Sequence, residues 1–216
     1  MAVVERVGLG LLMGKQWARS FSVVPRQRVL KREELPWVDL RGRLTEISGW
    51  GNSSVLTLAS LLVLEAQMRG EPVAWITERD TSFYPPDMAE MGVDLRALPV
   101  IRCPDGRSMA RAADRLARTG AFGLLIVDLG ARGDVPLPLQ TRLAGLARGH
   151  DMAIVFLTEK TQEAPSLSSL ISLRVGATRR SSDEVKFSCY FTALKDKRFG
   201  PGWVKEVVCH GPPGLC

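Results

Sequence analysis

Gly42-Arg43-Leu44-Thr45-Glu46-Ile47-Ser48-Gly49-Trp50-Gly51-Asn52-Ser53-Ser54-Val55-Leu56-Thr57-Leu58-Ala59 reads as a strand, a Gly/Ser turn and a helix. This is the layout of a phosphate-binding loop, in which backbone N–H groups and a helix N-terminus cradle an anion. The pattern for that chemistry is G-x-x-x-x-G-K-[ST], with lysine on the phosphates and the hydroxyl on magnesium. Counted from Gly49, its last three positions are Ser54, Val55 and Leu56. An apolar residue stands where the lysine belongs, and another where the hydroxyl belongs. Gly49, Gly51, Asn52, Ser53 and Ser54 can still offer backbone N–H groups to an anion. Losing the lysine forfeits a charge-assisted contact of roughly 1.5–3 kcal/mol. Losing the hydroxyl and the cation clamp removes transition-state stabilisation. We therefore expect no catalytic residues, and hydrolysis absent or vestigial. Val55 and Leu56 are expected to pack the helix start into the core, with Trp50 covering the site.

Working outward, strand and helix alternate from residue 42 to 157. A helix over Ser54–Arg69 presents Leu58, Leu61, Leu62 and Ala66 and is stopped by Gly70. Pro72–Thr77 is a short apolar run fit for a buried parallel strand. A short helix starts at Pro85-Pro86-Asp87, a brief strand covers 100–102 and a helix covers 108–118. Phe122–Asp128 is the clearest buried strand and ends in an acid, where a carboxylate would hold a magnesium shell. A turn cap at Gly130 is the plainer role for Asp128 once the lysine and hydroxyl are gone. Helix 137–148 and strand 153–157 follow, then a polar loop over 158–168. Segments 170–175, 185–194 and 203–209 read as an antiparallel extension. The fold class is α/β: a mostly parallel sheet flanked by helices, with antiparallel C-terminal strands.

The 216 residues are 45% hydrophobic and 24% charged, as in a globular domain with a well-buried core. No apolar run approaches the ~20 residues that span a bilayer, and Glu5 lies where a signal peptide would be positive; a cytoplasmic protein is expected. Cys103, Cys189, Cys209 and Cys216 form no C-x-x-C pair, and His150 and His210 stand alone. Neither a zinc site nor a disulfide framework is indicated, so the thiols read as buried or idle and no metal is expected.

The net charge of +6 sits at the ends. Residues 1–47 carry nine Lys/Arg against five Asp/Glu, and residues 171–216 eight against four. Such concentration is the footprint of nucleic acid or an acidic partner, or else of a solvated surface. The C-terminal cations are Arg179, Arg180, Lys186, Lys195, Lys197 and Arg198, interleaved with Tyr190, Phe191 and Phe199. Charge beside aromatics suits single-stranded nucleic acid. The competing reading puts the aromatics in the core and the charges in water. Residues 1–40 read as an N-terminal helix and basic arm, 41–210 as the core, and 211–216 as a mobile tail.

The run from Arg41 to Leu129 resembles bacterial RecA and its relatives. The features are G-R-L-T-E-I-S-G before the loop, the helix ending in Arg69-Gly70, Pro72–Thr77, Ala89-Glu90-Met91-Gly92-Val93-Asp94-Leu95, and the strand ending in Asp128. Thr158-Glu159 falls where that family has an Asn-Gln nucleotide sensor. Within the superfamily the chain looks most like the ImuA group, accessory proteins of bacterial translesion synthesis. Trp75-Ile76, Tyr84-Pro85-Pro86, Gly92–Leu95, Leu194-Lys195 and Arg198–Gly202 carry that likeness. The resemblance implies a non-catalytic RecA-like adaptor in the SOS response. It implies DNA, a Y-family polymerase-like protein, an error-prone replicative-type polymerase and RecA itself as partners. There are departures from the family. The segments matching RecA's two DNA-binding loops, 131–138 and 160–168, are short. Glu78 lies one place from the family's catalytic glutamate, with Arg79 on the strict match. A residual ATPase or ATP-gated switch using ATP and magnesium is the enzyme alternative, needing Arg43, Arg79 or Arg132 to replace the lysine. A purely protein-binding inhibitor of RecA assembly or cell division is the third reading.

Overall fold

A computed structural model describes residues 37–79, 83–131, 134–181 and 186–210. The proposed N-terminal helix and arm up to residue 36, and the tail from 211, lie outside the described residues. Among the described residues, eight strands form one sheet: β1 (Arg43–Gly49), β2 (Val73–Glu78), β3 (Val100–Cys103), β4 (Leu124–Gly130), β5 (Ala153–Glu159), β6 (Leu173–Ser181), β7 (Lys186–Asp196) and β8 (Val204–His210). Four α-helices among the described residues accompany them: α1 (Val55–Met68), α2 (Pro85–Glu90), α3 (Gly106–Thr119) and α4 (Leu137–Gly149). The strand order is β3-β2-β4-β5-β1-β6-β7-β8. No helix among the described residues is long and apolar enough to cross a membrane.

Central strands are apolar on both faces because helices cover both. Leu124, Leu125, Ile126 and Val127 of β4 are all fully buried. Alternate side chains feed two cores. Ile47, Trp75, Ile126 and Val155 face α1 and α2. Leu44, Ile76, Val127 and Phe156 face α3 and α4. The helix boundaries follow local chemistry. The Asp105 carboxylate caps α3 by accepting from the Ser108 N–H at 2.7 Å, and Gly120, at φ +63°, ends that helix.

The expected antiparallel extension is present, β7 pairing antiparallel with both β6 and β8. β6 also pairs parallel with β1, Thr45 opposite Leu173 and Ser48 opposite Gly176, and so joins that extension to the parallel sheet. Because β5 also pairs parallel with β1 from the other side, the chain from 160 to 172 must cross the face of β1. Parallel crossovers usually do this with a helix, which satisfies its own backbone. This one has none, so side chains take over that role.

Glu46, fully buried on β1, accepts from the Leu167 N–H at 2.9 Å and the Thr158 hydroxyl at 3.0 Å, with Lys160 Nζ at 3.3 Å. Arg174, buried on β6, donates to the carbonyls of Thr161, at 2.8 Å, and Ala164, and to Ser48 Oγ at 3.1 Å. Its Nε lies 4.0 Å from Glu46. Leu167, Leu170 and Ile171 then complete the core beneath α4.

A second buried pair, Arg43 and Asp196 at 2.9 Å, ties the start of β1 to the end of β7. Burial pushes the Asp196 carboxyl up. Hydrogen bonds from the Arg198 N–H, Arg43 and Trp203 outweigh that and leave its pKa below the ordinary value.

Removing one partner of a buried pair leaves an uncompensated charge, at about 3–5 kcal/mol. Glu46→Gln and Arg174→Met should each lower the urea unfolding free energy by that order. The double variant should lose clearly less than the sum, since neither charge is then orphaned. Additive losses would show that the two residues act separately.

Candidate functional site

The turn between β1 and α1 is clasped by the far end of β6. The Arg179 N–H donates to the Asn52 carbonyl at 2.9 Å, and the Ser54 hydroxyl donates to the Thr178 carbonyl at 3.0 Å. A Cβ at Gly49 would sit 2.7 Å from both the Ala177 carbonyl oxygen and Ser53, so only glycine fits there. Gly51 takes φ +63°, which lets the chain reverse. Two loop donors are engaged internally: Ser53 N–H on the Gly51 carbonyl at 2.8 Å, and Val55 N–H on Ser53 Oγ at 3.3 Å. The sequence offered no sign of this clasp, because it depends on β6 lying parallel beside β1.

Val55, at the lysine position, is buried in the core shared with Leu58, Ala59 and Phe83. Leu56, expected beside it in the core, is instead 37% exposed, because it is the next residue around the helix. Trp50 is 64% exposed. Arg43 cannot stand in for the missing lysine. It sits at the opposite end of β1, about 20 Å away along the strand, and is held by Asp196. Arg79 lies exposed just beyond β2, and Arg132 lies outside the described residues.

Asp128, buried on β4, receives the Thr77 hydroxyl at 3.4 Å from the neighbouring strand. Burial raises its pKa from 3.8 to about 6. The Thr77 hydroxyl and the Gly130 N–H oppose that rise, and the charges of Glu159 and Glu78 add to it. The carboxylate thus accepts from the Gly130 N–H at the end of β4. Glu78 ends β2 and Glu159 ends β5, so three acids line the carboxyl ends of adjacent strands. Among the described residues, no three His, Cys, Asp or Glu side chains converge to hold a metal. Thr77 was missed as a partner of Asp128, although its place at the end of an apolar run was a usable signal.

The six C-terminal cations do not form one patch. Arg179 and Arg180 are exposed at the loop end of β6, stacked over Phe187 at 5.0 Å and over Tyr190 at 5.3 Å. Lys195, Lys197 and Arg198 lie at the other end of the β6–β7 pair, about 20 Å away along the strand. There they serve backbone carbonyls. Lys195 reaches Ser168 at 3.3 Å, Lys197 reaches Ser169 at 2.7 Å, and Arg198 reaches Asp39 and Arg41 at 3.1 and 3.0 Å. The helix-free crossover needs donors, and Lys195 and Lys197 supply two of them. The side chain of Lys186 lies outside the described residues. Among the aromatics, Phe191 is fully buried and Phe199 is 48% exposed.

Over 118 residues the chain is 33% identical to the RecA proteins of Thermotoga petrophila, Chlorobium chlorochromatii and Picosynechococcus. The matched stretch is RecA-like. It covers 50% of this chain, and the chain spans about a third of the length of these relatives. No family model matches the chain. The mixed sheet with its flanking helices agrees with a RecA-like fold.

Asp128 gives this region a pH signature. Its folded pKa is raised, so its neutral form favours the fold below the unfolded pKa of 3.8, and that contribution is lost as pH rises through about 6. A shift of this order corresponds to roughly 2–3 kcal/mol at neutral pH. Asp128→Asn should therefore raise the urea unfolding free energy by roughly 1–3 kcal/mol at pH 7.5 and leave it nearly unchanged at pH 4. An equal gain at both pH values would mean that carboxylate desolvation is not the cause.

Proposed function

We propose that this chain is a non-catalytic RecA-like adaptor in DNA-damage tolerance, acting in SOS-induced translesion synthesis. The observation that carries this reading is the loop. Val55 and Leu56 replace the cation and the magnesium hydroxyl, while the Asn52 carbonyl and Ser54 hydroxyl bond to β6. A RecA-like frame that has given up nucleotide chemistry is suited to holding partners. The partners proposed are single-stranded or nonspecific DNA, a polymerase-like protein of the translesion machinery, and RecA. The likeness of Tyr84-Pro85-Pro86, Gly92–Leu95 and Arg198–Gly202 to the ImuA group supports the polymerase partnership.

A purely protein-binding role, such as inhibition of RecA assembly, is the second reading. It is favoured by the engagement of Lys195, Lys197 and Arg198 on backbone carbonyls, which reduces the charge available to DNA.

Two measurements separate these readings and the ATPase alternative. Millimolar Mg-ATP should leave the thermal midpoint unchanged. Occupancy at ten times the dissociation constant would add about 1.4 kcal/mol, or roughly 3–6 °C for a chain of this size, and such a shift would overturn the non-catalytic reading. Binding to single-stranded DNA should be weak and fall with salt, and Arg179→Ala with Arg180→Ala should flatten the log–log slope by about 1.4. No binding at low salt, with retention by a polymerase-like partner, would leave the protein-only role.

A further inference from the structure

Cys189 and Cys209 stand twenty residues apart in sequence, with no motif to connect them. The β7–β8 pairing sets Cys189 opposite Val207 and Cys209 opposite Phe187, so the two cysteines are diagonal neighbours on adjacent strands. Their side chains share the face that packs toward α1, where Cys189 is fully buried in the core and Cys209 packs against it. The sulfur atoms are 3.9 Å apart and both thiols are free.

From this juxtaposition we propose that Cys189 and Cys209 form an oxidation site that closes to an intramolecular disulfide across the β7–β8 hairpin. A disulfide needs the sulfurs at about 2.0 Å and the Cα atoms within about 7 Å, so diagonal neighbours must close by an ångström or so. β8 can give by that amount. Among the described residues it is the edge strand, paired on one side only, and Cys209 is its penultimate residue.

The oxidant is a peroxide. Cys209 is the partly exposed thiol and Cys189 the buried one, so the peroxide meets Cys209 first. The Cys209 thiolate attacks one peroxide oxygen, forming a sulfenic acid and expelling hydroxide, which takes up the proton lost when the thiol ionised and so becomes water. The Cys189 sulfur then attacks the Cys209 sulfur. Its proton and the sulfenic hydroxyl leave as a second water, and the S–S bond forms. Two thiols are oxidised by two electrons, and one peroxide is reduced to two waters. Burial, with the neighbouring Cys189, pushes the Cys209 thiol up to about 11, so at neutral pH little thiolate is present. Closure is slow there and speeds up about tenfold per pH unit below that value. These properties suit a staple that accumulates under sustained oxidant rather than a rapid sensor. The site stands independently of any nucleotide or DNA role.

The test uses the full chain carrying Cys216→Ser, which removes the one other thiol on the C-terminal tryptic peptide. Hydrogen peroxide is applied at pH 7 and pH 9, followed by alkylation and peptide mass mapping. The expected result is a cross-linked pair, Phe187–Lys195 joined to the peptide beginning at Glu206. It should lack two hydrogens, form faster at pH 9, and disappear with reductant. The thermal midpoint should rise by roughly 5 °C on closure and return on reduction. Cys189→Ser and Cys209→Ser should each abolish the linked peptide. Only sulfinic or sulfonic adducts, a link to Cys103, or disulfides between separate chains would overturn the proposal. Retention of the linked mass in either serine variant would also overturn it.

Discussion

A chain that crosses a sheet face without a helix must find partners for its backbone from elsewhere. In this protein the segment from 160 to 172 does so through Glu46 and Arg174, both buried, on two neighbouring parallel strands. The carboxylate takes the Leu167 N–H and the guanidinium feeds the carbonyls of Thr161 and Ala164. Buried charge is costly in itself, so this pair is better understood as a device that specifies one path than as a source of stability. The position of β6 depends on it, and with β6 the position of β7 and β8.

β6 links the two ends of the sheet. At its start, Arg174 holds the crossover. At its end, the stretch from Ala177 to Arg179 lies against the turn between β1 and α1. These protein contacts hold the turn in shape. The Asp128 carboxyl is buried with the Thr77 hydroxyl as its side-chain donor, and burial makes its ionised form unfavourable. A position that disfavours its own charge at neutral pH serves folding poorly.

Element order was legible because it rests on local signals. The run from Phe122 to Asp128 read as a buried strand, and the glycine after Arg69 read as the stop of a helix. The parallel pairing of β6 with β1 was not legible. Its sequence, Leu173–Ser181, alternates like a half-exposed antiparallel strand, and only the burial of Arg174 against Glu46 explains a polar residue on its inward face. Lys195, Lys197 and Arg198 read as a basic patch because sequence shows charge and not its neighbours. The carbonyls they serve lie 27 to 159 residues away.

The residue types of the turn belonged to the sequence alone. Val55 and Leu56 offer neither a cation nor a hydroxyl whatever the surroundings, because a side chain's functional group does not depend on packing. The succession of strands and helices was likewise written locally, in apolar periodicity and in turn residues. Tertiary structure decided which groups meet. It placed Arg43 on Asp196 across 153 residues, divided the basic residues between two ends of a strand pair, and brought the sulfur of Cys189 to 3.9 Å from that of Cys209. Each of these depends on register between strands distant in sequence, and register is set by the whole sheet at once.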